Sequence, residues 1–241
     1  MIHQRHIQMM GGLSFILGAL AFTLVFSFLA ASFNYPDVLH GNAATVLGHL
    51  LAGGEALRGV WAIYALLPLF LLPAGAGHYT ACPNQRAAMA LALMFISIAA
   101  ISMCLGLMRW PSIHWVLAEA YAQAQQQADT ASMHSIAALF DGLNLYLGNY
   151  IGEFLGESCL AAFFLISGYC LSNESRFPKW LGIGSMLFAV LFMLGAFRNV
   201  CSSVQIIADI NNLLLPVWMI VLGSGLIWFS RTAKDSDTVT N

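Results

Sequence analysis

Two glutamates, Glu153 and Glu157, lie inside an apolar stretch over residues 145–166 that is long enough to cross a membrane. Side chains four residues apart stack on one face of a helix. A carboxylate near the bilayer centre costs roughly 2.5–3.5 kcal/mol on insertion scales, so such a residue needs a compensating partner. Two carboxylates on one face can exchange a proton, act as a general base or pair with cations. The pattern therefore indicates either a ligand site or an ion-pair network.

The neighbours of these glutamates extend the polar face. On an ideal α-helix, at about 100° per residue, Tyr146 and Asn149 fall within a narrow sector around Glu153 and Glu157. The same face becomes apolar from Leu160 onward. We therefore predict a polar stripe in the outer third of this helix.

The composition of the chain places it in lipid. Of 241 residues, 59% are hydrophobic and 8% are charged, whereas a soluble domain has about 25% charged residues. The formal net charge is −2, so the chain has no excess of basic residues with which to bind nucleic acid. The expected partner is membrane lipid, and the sequence defines no protein partner.

Six stretches are apolar and long enough to span a bilayer. They lie near 9–32, 58–77, 86–108, 149–172, 179–198 and 211–229. The first apolar run exceeds the 7–15 residues that form the apolar core of a signal peptide, so we expect it to be a retained span. We predict an all-α, polytopic protein in which residues 1–241 form a single six-helix domain.

Lysine and arginine set the orientation of the spans. With six spans both termini share one side. That side would carry Arg5, Arg86, Arg176, Lys179, Arg231 and Lys234. The opposite side would carry Arg58, Arg109 and Arg198. The asymmetry predicts cytoplasmic termini.

The long loop between the third and fourth spans predicts an outer cap over residues 110–148. Ser112 and Asp129 are of the types that cap helix N-termini, so a helical hairpin is expected there. A helix unbroken from Thr130 to Ser172 would be about 60 Å long, twice the hydrocarbon thickness. It must therefore project outward or bend.

The three outer arginines lie at the ends of three different spans, at the depth of the two glutamates. Charges in lipid pair with one another or face water, so we expect them to converge. The predicted ligand-binding residues are Glu153, Glu157, Asn149, Tyr146, Arg58, Arg109 and Arg198. A purely structural ion-pair network would place the same charges together, so this remains an alternative explanation.

Histidines give no further site. His49, His114 and His134 are expected on the outer side as surface or interfacial residues, and His78 as a solvated residue on the cytoplasmic side. Their spacing does not match a zinc site. We predict no metal site and no catalytic residue, and the sequence defines no cofactor.

Several strings resemble a bacterial family of six-pass membrane proteins that carries a domain of unknown function. They are Phe-Asn-Tyr-Pro-Asp-Val (33–38), Trp-Ala-Ile-Tyr-Ala-Leu-Leu-Pro (61–68), Gly-Leu-Met-Arg-Trp-Pro (106–111), Asn-Tyr-Ile-Gly-Glu-Phe-Leu-Gly (149–156) and Pro-Lys-Trp-Leu-Gly (178–182). The resemblance covers nearly the whole chain and implies a six-helix domain in a bacterial inner membrane. It implies no activity, cofactor or catalytic residue.

Three functions fit these observations. The first is binding or transport of a small amphiphile, lipid or ion at a charged pocket near the outer face. The second is an intramembrane enzyme that modifies lipid, with Glu153 or Glu157 as general base. The third is a structural or partner-binding subunit whose charges form an ion-pair network. Because no catalytic motif accompanies the glutamates, an enzyme is the less favoured of the first two.

Overall fold

The computed structural model describes residues 2–237, with side chains at 4–38 and 41–230. Arg231 and Lys234, two of the basic residues assigned to the cytoplasmic side, lie outside the described side chains. The structure is 90% helical, and no strand occurs within residues 2–237. The prediction of an all-α fold is confirmed.

Six helical stretches are long and apolar enough to cross a bilayer. They are Gln4–Phe33, Gly54–Ala81, Pro83–Gln126, Thr130–Ser172, Lys179–Asn199 and Ser202–Ser230. The individual α-helices are α1 (Ile2–Phe33), α2 (Ala43–Ala52), α3 (Gly54–Leu66), α4 (Leu71–Ala81), α5 (Arg86–Met108), α6 (Ile113–Gln126), α7 (Thr130–Leu143), α8 (Gly156–Ser172), α9 (Lys179–Ala196) and α10 (Gln205–Asp237). The chain is a multi-pass helical membrane protein, and the predicted number of spans is confirmed.

The second span is not a continuous α-helix. A 3-10 turn at Leu67–Phe70 separates α3 from α4 and contains Pro68. Proline removes a hydrogen-bond donor and clashes with the preceding turn, which explains the interruption. Pro216 lies inside α10, in the sixth span.

The spanning helices form a closed ring in the order α1, α4, α5, α8, α9 and α10, and α10 returns to α1. The centre is filled by aromatic and small residues, including Phe15 and Phe163. His78 lies between these two rings and is completely buried, with Nδ1 3.1 Å from the carbonyl oxygen of Ala74. The expectation of a solvated His78 is wrong, because its face of α4 points into the bundle.

The cap consists of α6 and α7, which pack against each other, and of α2, which packs on both. We call the end of the bundle that carries the cap its outer end. The predicted helical hairpin is confirmed. Asp129 caps α7 by accepting a hydrogen bond from the backbone N–H of Ser132 at 3.1 Å. Ser112 does not cap α6, because its hydroxyl donates to the carbonyl oxygen of Met108 instead.

The chain is helical without a break from Thr130 to Ser172, but its conformation changes on the way. A π-helical segment, Asn144–Leu155, connects α7 with α8. The first part, α7, packs in the cap, so the long helix extends from the cap into the spanning bundle. π-helical geometry is rare in proteins, and the short π-helical turns found inside α-helices lie frequently at functional sites.

Glycines bring the π-helical segment very close to α5. A Cβ atom on Gly106 would lie 2.6 Å from the Cα atom of Gly152, and one on Gly152 would lie 3.0 Å from the Cα atom of Gly106. Small residues allow helix backbones in membranes to approach in this way. The crossing fixes the height of the π-helical segment relative to the outer end of α5.

This crossing leads to the first prediction. Gly106→Ala should lower the thermal stability of the detergent-purified protein, because overpacking costs about 1–3 kcal/mol and the new methyl group meets backbone. Gly59→Ala is the matched control, since a Cβ there meets nothing within 4 Å. Removing a glycine from the interior of α3 should stabilise by about 0.5–1 kcal/mol. Thermal unfolding followed by size-exclusion chromatography measures both, and equal melting temperatures would contradict the tight crossing.

Candidate functional site

Arg198 forms an ion-pair cluster with Glu153 and Glu157. Its Nη1 atom lies 2.6 Å from Oε2 of Glu157, and its Nη2 atom lies 2.8 Å from Oε1 of the same carboxylate. Nη2 also lies 3.0 Å from Oε2 of Glu153. Two parallel bonds between a guanidinium and a carboxylate are the strongest form of ion pair in proteins. The structure thus brings together three of the predicted site residues.

Local structure places these three charges at one level. Arg198 lies in a short 3-10 turn, Phe197–Asn199, at the end of α9, where its Nη1 atom also donates to the carbonyl oxygen of Gly195 at 3.2 Å. Glu153 belongs to the π-helical segment and Glu157 to the first turn of α8. The cluster therefore links the fourth span to the fifth, and it carries one more negative than positive charge.

Asn199 completes the cluster, although the sequence analysis did not select it. Its side-chain Nδ2 atom donates to Oε2 of Glu153 at 2.9 Å and to the backbone oxygen of Asn149 at 3.0 Å. The predicted residue Asn149 therefore takes part through its main chain. The sequence signal that could have identified Asn199 was its position directly after Arg198.

Arg109 is a second buried guanidinium, and its surroundings differ from those of Arg198. The residue is 5% exposed. Its Nε atom donates to Oδ1 of Asn144 at 3.1 Å, and Nη1 donates to the carbonyl oxygen of Gly106. Among the described side chains, no carboxylate lies within 4.0 Å of it. Glu153 attracts it from a longer distance, so its charge is compensated only indirectly.

Gly148 makes room for this arginine. A Cβ atom at position 148 would lie 2.5 Å from both Cζ and Nη2 of Arg109. The guanidinium therefore lies directly on the backbone of the π-helical segment, and any larger residue at position 148 would displace it. On its other side, the Cζ atom of Arg109 lies 5.1 Å from the ring centroid of Trp110.

A groove of about 450 Å³ opens beside Arg109, and we call it the Arg109 groove. It runs between the outer end of α5 and the π-helical segment. Its lining residues are Leu105, Met108, Arg109, Ser112, Ile113, Tyr146, Leu147 and Ile151. Arg109 is the charged member of this set. Ligand sites in proteins have this size and this mixture of apolar walls with few polar groups.

Tyr146 lines the Arg109 groove and not the ion-pair cluster. It is 61% exposed, and the groove that it lines includes neither Glu153 nor Glu157. The helical-wheel interpretation of one stripe is therefore wrong for this residue. Hydrogen bonds in a π-helix run to the fifth residue, so each residue turns through a smaller angle than in an α-helix. The smaller angle per residue adds up over the seven residues from Tyr146 to Glu153, so the two side chains point in different directions than an α-helix predicts.

Arg58 is separate from the other two arginines. Its Nε atom donates to the carbonyl oxygen of Pro111 at 2.9 Å, and its Cζ atom lies 5.0 Å from the ring centroid of Trp115. These contacts tie α3 to the turn after α5 and to α6. The expectation that Arg58 joins the glutamates is not met, because its contacts hold the cap.

Tyr35, in the loop after α1, lies in the electric field of Arg109 and of the ion-pair cluster formed by Arg198, Glu153 and Glu157. Burial, and secondly the negative charge of Glu153, raise the pKa of its phenol to about 12. Arg109 and Arg198 oppose that shift. The phenol therefore stays protonated at physiological pH and remains a hydrogen-bond donor next to the charged layer.

His114 departs from the expectation of a surface or interfacial histidine. It is completely buried, with its ring centroid 4.8 Å from that of Trp110 and 4.5 Å from that of Phe140. The turn after α5 directs the start of α6 toward Phe140 of α7, which explains the burial. Neither ring nitrogen has a hydrogen-bond partner in the described part of the chain.

The charged side chains of the site differ in how far other protein groups engage them. Within the described side chains, no group of three or more His, Cys, Asp and Glu residues is placed to hold a metal ion. The oxygens of Glu157 are both engaged by Arg198. Arg109, in contrast, lines an otherwise uncharged groove and has no carboxylate within 4.0 Å among the described side chains.

Comparison with known proteins gives a family but no function. No curated protein and no solved structure matches the chain. A family profile described as "Domain of unknown function (DUF4386)" matches residues 10–223, which include the second to fifth spans, most of the first and sixth, and the charged residues Arg109, Glu153, Glu157 and Arg198. The protein therefore belongs to the DUF4386 family of unknown function.

Proposed function

We propose that this protein binds a small anionic amphiphile in the Arg109 groove, at the outer end of its transmembrane bundle. We further propose that it resides in a bacterial inner membrane with both termini in the cytoplasm, as the distribution of arginine and lysine favours. The observation that carries the proposal is Arg109 itself. It is a buried guanidinium, held in place by Asn144, that lines a groove and has no carboxylate within 4.0 Å among the described side chains.

Charge compensation favours Arg109 over Arg198 as the ligand-binding arginine. Arg198 already holds two carboxylates. An anion approaching it would have to displace them or bear their repulsion. An anion at Arg109 would provide the direct counter-charge that the protein supplies only from a distance. Guanidinium groups bind carboxylate and phosphate strongly, and Nη2 of Arg109 donates to no acceptor among the described residues.

The contacts of Arg198, Glu153 and Glu157 favour a structural role for these three residues, as an ion-pair network that joins helices. Glu157 and Arg198 are both largely buried and hydrogen-bonded to each other, and they join neighbouring spans. Breaking one partner of a buried pair is strongly destabilising. The cluster thus positions the π-helical segment on which the Arg109 groove depends. The lipid-modifying activity considered above stays a hypothesis that no contact in the site favours.

The second prediction tests the anion site with n-dodecyl phosphate as probe. The purified protein in a sugar-based detergent should bind the probe stoichiometrically, as seen by native mass spectrometry. Arg109→Gln should weaken binding by at least tenfold, because hydrogen bonds to a charged group contribute about 1.5–3 kcal/mol. Arg58→Gln is the matched control, since it removes an outer arginine that does not line the groove.

Two results would contradict the proposed site. One is unchanged binding of n-dodecyl phosphate by a folded Arg109→Gln variant, and the other is an equal loss in Arg58→Gln. Because Arg109 also holds α5 to the π-helical segment, its replacement can reduce folding. Tyr146→Phe covers that case, since it removes one exposed hydroxyl from the groove and disturbs no described hydrogen bond. It should weaken binding by a smaller factor.

The third prediction concerns Glu157. Glu157→Gln should reduce the yield of folded, monodisperse protein, because it leaves Arg198 with half of its ion pairs. Removing one partner of a buried pair costs about 3–5 kcal/mol. Glu55→Gln changes the net charge equally at an exposed position of α3 and should have no such effect. A normal yield and melting temperature for Glu157→Gln would instead move the functional role back to the glutamates.

A further inference from the structure

The Arg109 groove has a direction relative to the membrane. Leu105 precedes Arg109 by four residues on α5, which places it about 6 Å deeper in the bilayer. On the opposite wall the chain runs inward, so Ile151 lies deeper than Tyr146. The groove is therefore polar at its outer end and apolar toward the bilayer centre. A lipid molecule in the outer leaflet has the same order of groups.

The groove is also open sideways. Leu105, Met108, Ile113 and Tyr146 line it and are all exposed on the outside of the bundle. Residues that are exposed on the surface of a membrane-spanning helix face the lipid tails, and those at its ends face the headgroups. A molecule can therefore enter from the bilayer itself, without passing through the outer aqueous phase or under the cap.

The charge of the lining residues favours one kind of headgroup. Arg109 offers a fixed positive charge, and the exposed hydroxyl of Tyr146 offers a further donor. No carboxylate lines the groove, so nothing in it would receive the ammonium group of a zwitterionic lipid. A headgroup with a single net negative charge balances Arg109.

We infer that the natural occupant of the Arg109 groove is an anionic phospholipid of the outer leaflet, which enters laterally. Its phosphate lies at Arg109 and Tyr146, and the upper part of one acyl chain lies along Leu105 and Ile151. This inference rests on the proposed function and specifies the source of its anionic ligand. A water-soluble phosphate compound has the same anionic chemistry but no use for the apolar half of the groove.

The fourth prediction tests the lipid with a photoreactive probe. The full-length protein is placed in phosphatidylcholine nanodiscs that contain a minor fraction of phosphatidylglycerol with a diazirine on one acyl chain. After irradiation, cross-links should concentrate in peptides over 105–113 and 146–151. The same experiment with diazirine-labelled phosphatidylcholine should show no such concentration.

A matched pair of variants gives the control. Leu105→Trp should fill the groove and remove the concentrated cross-links, whereas Ile101→Trp should leave them in place. Both side chains lie on α5, one helical turn apart, and each is 54% exposed, but only Leu105 lines the groove. Since neither side chain makes a polar contact, both variants should fold.

The outcomes separate this inference from the proposed function. Cross-links that spread evenly over all lipid-facing helices, or that persist in Leu105→Trp, would overturn the lipid assignment. If n-dodecyl phosphate still binds in an Arg109-dependent manner, the anion site stands and only its occupant is wrong. If excess inorganic phosphate displaces the cross-links, the occupant is a soluble anion. Loss of both signals would overturn both proposals.

Discussion

The outer half of this bundle depends on a salt bridge between the fourth and fifth spans. Arg198 holds Glu157 with two hydrogen bonds and Glu153 with one ion pair, and the side chains of Arg198 and Glu157 are largely buried. Charges in such surroundings are tolerated when they are paired and hydrogen-bonded. Asn199 provides an additional bond to Glu153 and one to the backbone of the π-helical segment. This segment is therefore fixed in place, and both its close contact with α5 and the Arg109 groove build on its position.

Because the π-helical segment is fixed, α5 can pack against it at a very short distance. Gly106 meets Gly152, and the guanidinium of Arg109 lies on Gly148. Membrane helices gain no hydrophobic energy from leaving lipid, so close packing and hydrogen bonds must hold them together. Here the glycines supply the packing and Asn144 supplies a hydrogen bond to Arg109. The same contacts that join the two helices therefore also hold a buried positive charge beside lipid.

Sequence reasoning reached the architecture but only part of the site. Span length and hydropathy determine the six helices, and the need to pair charges in lipid predicts the contact of Arg198 with the glutamates. The assignment of Tyr146 to the same stripe was wrong, because local sequence does not reveal a π-helical segment that changes the angle between side chains. Asn199 was missed because an amide carries no charge to signal its role. The expectation of a surface position for His114 was wrong, because its burial against Phe140 of α7 depends on long-range packing.

A purely structural network explains Arg198 but not Arg109. An arginine at the end of a spanning helix can extend its long side chain to the headgroup region and keep its charge hydrated. Arg109 does not do so: it is 5% exposed, and its guanidinium donates to Asn144 and to the carbonyl oxygen of Gly106. Desolvating a guanidinium without a direct counter-ion is unfavourable, and a neutral residue could pack against glycine equally well. The anion that we propose would provide this counter-ion, and the apolar walls beside Arg109 favour an anion with a lipid tail.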